Sequence, residues 1–230
     1  MRIASPRFFL SLLLLAAIPP AFADTVTWAV WNTPTTVSPT AGVETGAIGG
    51  INVTYTGEIQ FVNASNAGHF NYFQPTTTYV GGVVGNAPTN GGMIAIDGNN
   101  GMTNTFTFSA PVTGLVFSEV SLGQPRIGTQ YTFDSGFDIV ACGPNAVYGG
   151  SCITQSGNTM TGNEADGTIV FSGGPITSLS FTTANPEYWN GFTIGLLSQE
   201  TSPVPEPGTL TLIGTGLLGL FGVARRRFLS

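Results

Sequence analysis

The chain has 230 residues, with six basic side chains, twelve acids and one histidine, for a formal charge of −6 at neutral pH. Every basic residue is arginine and five of the six lie near the termini, so the stretch between carries Arg126 alone and a net charge of about −10. That balance offers nothing to neutralise phosphates, which excludes nucleic acid as an expected partner, and it repels anionic membrane surfaces. Aromatic residues make up 11% and charged ones only 8%, the reverse of a disordered chain, so a folded, turn-rich domain is expected.

The N-terminus reads as a secretory signal peptide over residues 1–23. Arg2 and Arg7 form the positive region, residues 8–18 (FFLSLLLLAAI) the apolar region, and Ala21-Phe22-Ala23 an A-x-A cleavage site. Export through the Sec translocon and cleavage by signal peptidase after Ala23 would leave Asp24 as the first residue.

Residues 24–200 show period-2 alternation and no helical period. Strands are expected at residues 25–31, 51–62 (with a bend or bulge at Gly57), 103–109, 114–122, 130–133, 136–141, 167–171, 176–183 and 191–197. Turns are expected at Asn99-Asn100-Gly101, Asp134-Ser135-Gly136, Asp166-Gly167 and Gly173-Gly174-Pro175. Residues 33–49 and 81–92 read as long loops, and residues 79–84 as either strand or loop. Roughly nine to eleven short strands without helices predict an all-β, antiparallel β-sandwich or jelly-roll-like ectodomain.

Cys142 and Cys152 are the only cysteines, and both lie in the exported region. A local pair in an oxidising compartment predicts a disulfide. The alternative, a reactive thiol, needs a base, and the one histidine, His69, is far off in sequence. A Ser-His-Asp site would need the same histidine, and no G-x-S-x-G elbow is present. No zinc set can be assembled, and no other cofactor is expected. Calcium ligands are available at Asp97 and Asn99 and at Glu164 and Asp166, although Asp, Asn and Gly also simply build turns. A glycosidase would need two carboxylates; Glu119, beside Phe117 on a predicted strand and read as facing its polar side, and Asp134 with Asp138 are the candidates. Rings suit sugar stacking. Tyr188, Trp189 and Asn190 follow an Asn-Pro turn and are candidate glycan contacts, with Tyr72 and Tyr79 behind them; the competing reading buries these rings in the core.

The C-terminal region has three parts. Residues 201–207 form a proline-rich linker containing Pro205-Glu206-Pro207. Residues 208–224 carry no charge and would make a helix of roughly 25 Å, a short membrane span. Arg225, Arg226 and Arg227 then open the terminal segment 225–230, expected to stay cytoplasmic. In this order the parts resemble the PEP-CTERM sorting signal of bacterial exosortase substrates. The resemblance implies an exosortase as partner, transient anchorage in the inner membrane, cleavage near the motif and release to the cell surface or matrix, usually in Gram-negative bacteria that export polysaccharide. The stretches Ser121-Leu122-Gly123-Gln124-Pro125, Tyr131-Thr132-Phe133-Asp134 and residues 185–192 also resemble a recurrent ectodomain of exosortase-sorted β proteins, which implies a fold rather than an activity. The expected role is structural or adhesive, without catalysis. A carbohydrate-binding module for matrix exopolysaccharide and a polysaccharide hydrolase are the alternatives.

Overall fold

The computed structural model describes residues 23–198 together with residues 216–217. Alternating side chains drive the architecture. In β7 (Thr103–Val112), Asn104, Phe106 and Phe108 turn inward while Thr103, Thr107 and Ser109 face solvent. In β9 (Thr129–Phe133), Tyr131 and Phe133 are buried and Thr132 is exposed. Strands with one apolar face bury it against a second sheet, and two such sheets form here.

The first sheet runs β10 (Phe137–Cys142), β14 (Ala165–Phe171), β8 (Leu115–Leu122), β16 (Asn190–Leu197), β6 (Met93–Ile96), β5 (Phe61–Asn63). β1 (Val26–Trp28) also pairs with β16, and the two-residue β11 (Ser151–Cys152) runs parallel to β14. The second sheet runs β12 (Thr154–Ser156), β13 (Thr159–Gly162), β9, β15 (Ile176–Ala184), β7, β4 (Ile51–Ile59), β3 (Ser38–Ile48), β2 (Val30–Trp31). All other pairings are antiparallel, so the ectodomain is an all-β sandwich.

Aromatic rings fill the space between the sheets. Phe117 stacks on Phe192 with centroids 5.1 Å apart and meets Phe106, Phe133 and Phe181 edge-on. Tyr131 lies 4.7 Å from Phe181 across the same core. Each buried ring contributes about 1.5–3 kcal/mol. β8 is buried on both faces. Its outer side packs, through Val120, beside Met93 and Ala95 of β6 in the same sheet and under Phe73, Tyr79 and Ala87, so the segment from Phe73 to Ala87 forms an extra layer over the first sheet.

Several expectations are corrected. The two strands predicted at 25–31 and 51–62 each divide between the sheets, at Ala29 and Gln60, because a continuous strand can turn a sandwich corner by changing partner. The predicted loop at 33–49 contains the eleven-residue β3. Its inward positions include Gly42, Glu44 and Gly46, and the glycines lie under Ile59 and the Trp31 ring, where a side chain would collide. Small residues on the buried face hid the alternation. Asp166-Gly167 is not a turn but part of β14, with Gly167 against Cys142 and Ile153. β6 and the short β11–β13 were not expected. Residues 79–84 form no strand; they follow a 3-10 turn at Thr76–Thr78 and make isolated bridges, one pairing Asp24 with Val84.

Candidate functional site

Rings from four segments meet over the outer layer of the first sheet. Phe61 comes from β5, Phe70 and Tyr72 from the segment after it, Tyr148 from the loop between the cysteines, and Trp189 from the turn before β16. Tyr72, Tyr148 and Trp189 form a triangle: centroids are 6.1 Å apart for Tyr72–Tyr148, 5.7 Å for Tyr72–Trp189 and 5.4 Å for Tyr148–Trp189. Phe61 extends the group from Trp189 at 5.4 Å, and Phe70 from Tyr72 at 5.1 Å. The three central rings are partly buried, whereas Phe70 is 58% exposed. Tyr188 precedes Trp189 in the chain and is 80% exposed, its carbonyl accepting from the Gln60 amide at 2.9 Å.

The Tyr148 loop is held by covalent and polar ties. Cys142 and Cys152 form a disulfide with Cα atoms 4.8 Å apart. The Asn145 amide nitrogen donates to the Tyr72 carbonyl at 2.7 Å and to the Tyr79 hydroxyl at 2.9 Å, while Ala146 N–H donates to the Gln74 carbonyl at 2.7 Å. Burial and the adjacent Tyr72 push the Tyr148 hydroxyl up to about 12, and Glu164 and Asp166 add to the effect.

Beneath the rings lies a group of acids. Glu119 is fully buried and neither carboxylate oxygen has a hydrogen-bond partner. Burial pushes its carboxyl well above the usual carboxylate range, and Glu187 and Asp166 push it further. Asp166 is also fully buried. Its Oδ1 accepts from Ser121 N–H at 3.0 Å and the Tyr79 hydroxyl at 3.1 Å, while Oδ2 is unpartnered. Desolvation outweighs these bonds and raises Asp166 to about 7. Glu187 accepts from Gly123 N–H and from the Asn190 amide, and burial raises it too to about 7. Ser121 and Glu164 adopt positive φ (59° and 52°), a conformation costly for residues other than glycine. The twist at Ser121, where β8 and β14 shift register, aims its N–H at Asp166 and its hydroxyl at Glu164 (2.8 Å).

The predicted site residues separate into distinct groups. Trp189 belongs to the ring patch and the exposed Tyr188 adjoins it in the chain, but Asn190 is not part of the patch. It is buried, its Oδ1 accepting from the Tyr131 hydroxyl and its nitrogen donating to Glu187 at 2.8 Å. Tyr79 is core as well. Glu119 faces the core alongside Phe117, two residues away on the same strand face, and not the polar side expected for it. Asp134 and Asp138 are exposed, Asp134 accepting from Ser180 N–H at 3.0 Å. His69 is exposed in the segment before Phe70. Of the calcium candidates, Asp97 and Asn99 flank Glu58, whose carboxylate accepts from the N–H groups of Asp97 (2.9 Å), Gly98 (3.1 Å) and Asn99 (3.0 Å). That ring of donors suits the carboxylate and opposes a cation. Glu164 and Asp166 lie apart from them at Ser121. Among the described residues no three His, Cys, Asp or Glu side chains are grouped to hold a metal ion.

Sequence reasoning missed Phe61, Phe70, Tyr148, the buried Glu58 and the half-buried Glu187. The G-H-F-N-Y run and the Y-G-G in the cysteine loop were the only local signals, and neither indicates its distant partner. Ala23 opens the described residues; Ala21, Pro205, Glu206, Pro207, Arg225, Arg226 and Arg227 lie outside them, as does the expected span except for residues 216–217, which are helical and exposed. Among the described residues no helix is long and apolar enough to cross a membrane.

No curated protein and no solved structure matches the chain. A family model does match, the PEP-CTERM protein-sorting motif, over residues 203–227. The chain therefore carries a PEP-CTERM protein-sorting motif, the mark of an exported protein sorted by an exosortase.

Proposed function

We propose that this protein is a non-catalytic structural or adhesive component of the cell surface or extracellular matrix, delivered there by exosortase processing. The observation that carries the reading is the sorting motif at residues 203–227. Signal peptidase frees the N-terminus after Ala23, and the apolar segment 208–224 holds the chain in the inner membrane with Arg225, Arg226 and Arg227 on the cytoplasmic side. Cleavage near Pro205-Glu206-Pro207 then detaches the domain. Its build suits a passive exterior role: two sheets closed over an aromatic core, with a disulfide closing the loop that follows β10 at the edge of the first sheet.

The test is the intact mass of protein recovered from medium and from membranes. The expected species runs from Asp24 to near Pro205 and is two hydrogens light. Replacing Arg225, Arg226 and Arg227 with alanine is expected to impair that processing. A mature mass that retains residues 208–230 in a host with an active exosortase would defeat the sorting mechanism.

A further inference from the structure

We infer that the rings of Tyr72, Tyr148 and Trp189, flanked by Phe70 and Tyr188, form a binding platform for a neutral, hydroxyl-rich glycan, and that the Cys142–Cys152 disulfide holds that platform in shape. This rests on the adhesive reading above and names its ligand class. A surface aromatic patch assembled from distant segments is the informative exception to burial. These rings meet within 5.4–6.1 Å of one another yet remain partly open, with the exposed Phe70 packed edge-on to Tyr72 and the exposed Tyr188 next to Trp189 in the chain. Ring faces stack on the apolar C–H face of a pyranose, and polar groups at the edge bond its hydroxyls. Such groups are present: the hydroxyls of Tyr72 and Tyr148 in the partly open triangle, and the Gln60 amide at the Tyr188 carbonyl.

Charge narrows the ligand. The stretch between the terminal segments carries a net charge of about −10, Glu164 acts on the Tyr148 hydroxyl, and Arg126 is the sole arginine or lysine among the described residues. An anionic polysaccharide would be repelled. A second copy of this chain would set the same negative charge against itself, which disfavours self-association through this face. The disulfide matters because Tyr148 lies within its loop, otherwise tied to the 72–79 segment only by hydrogen bonds and by its own ring against Tyr72. Opening the loop releases one side of the triangle.

The test is affinity electrophoresis of the purified full chain through gels containing dextran, mixed-linkage β-glucan or alginate. At least one neutral polymer is expected to retard the protein and alginate is not. Tyr148→Ala and the double change Cys142→Ser with Cys152→Ser are each expected to weaken retention at least tenfold. Phe70→Ala and Tyr188→Ala, which remove exposed rings, are expected to weaken it several-fold with unchanged melting temperature; they decide the matter if a loop variant fails to fold. No retention by either neutral polymer, equal retention by alginate, or wild-type retention by the Phe70 and Tyr188 variants would overturn the inference. So would a dimer that Tyr188→Ala converts to monomer, which would assign the face to a second copy. Correct tail removal without glycan retention defeats this inference alone; glycan retention with an uncut tail defeats only the sorting mechanism.

Discussion

Buried acids make the stability of this domain fall as pH rises. Asp166 shows the size of the effect. Its carboxyl moves from an ordinary 3.8 to about 7 in the fold. The folded state therefore holds the proton more tightly than the unfolded chain. Stability from this group is greatest below pH 4, declines as pH rises toward 7 and levels off above it. A shift of about three units corresponds to about 4 kcal/mol, an upper bound because relaxation around the ion reduces it. The groups facing Asp166 reinforce the sign: Glu164 and Glu119 are acids, and Tyr79, Asn145 and Ser121 are neutral. Asp166→Asn mimics the protonated form, since its Oδ1 keeps the bonds from Ser121 and Tyr79 and the amide nitrogen takes the unpartnered side. Urea unfolding and melting temperature would be followed from pH 4.5 to 8 at fixed salt. At 2–4 °C per kcal/mol for a domain of this size, that upper bound corresponds to roughly 8–16 °C, so the wild type is expected to melt several degrees higher at the acidic end, and Asp166→Asn to remove much of that slope. A wild type that gains stability from pH 5 to 8, or an Asp166→Asn protein weaker than wild type at pH 8, would refute the reasoning.

Other perturbations follow from packing. Phe117→Ala removes the ring that meets Phe106, Phe133, Phe181 and Phe192, and is expected to cost about 3–5 kcal/mol in urea unfolding. Removing the disulfide opens an eleven-residue loop and should cost roughly 3 kcal/mol, read by the same assay with and without reductant. Gly57→Ala would drive a Cβ into Asn104 Oδ1 at a φ of 153°, and is expected to destabilise by about 1–3 kcal/mol, whereas Gly49→Ala meets no neighbour and bears only its conformational strain.

Short-range patterns in the sequence determined much of the outcome. Alternation in β7, β9 and β15 specified all-β structure, because a strand buried on one face must repeat every two residues. Two cysteines in an exported region specified the disulfide. The sorting motif was legible because its three parts are contiguous. Tertiary structure decided the rest. β3 could be recognised only with Ile59 and Trp31 in place, since its buried face is partly glycine. Glu119 reads as a solvent-facing acid until Phe117 and Phe192 fix which face of β8 points inward. Tyr72, Tyr148 and Trp189 lie far apart along the chain and become neighbours only when the cysteine loop and the turn before β16 fold over the first sheet. Local sequence encodes the period of a strand; which side chains meet depends on contacts between segments that share no local pattern.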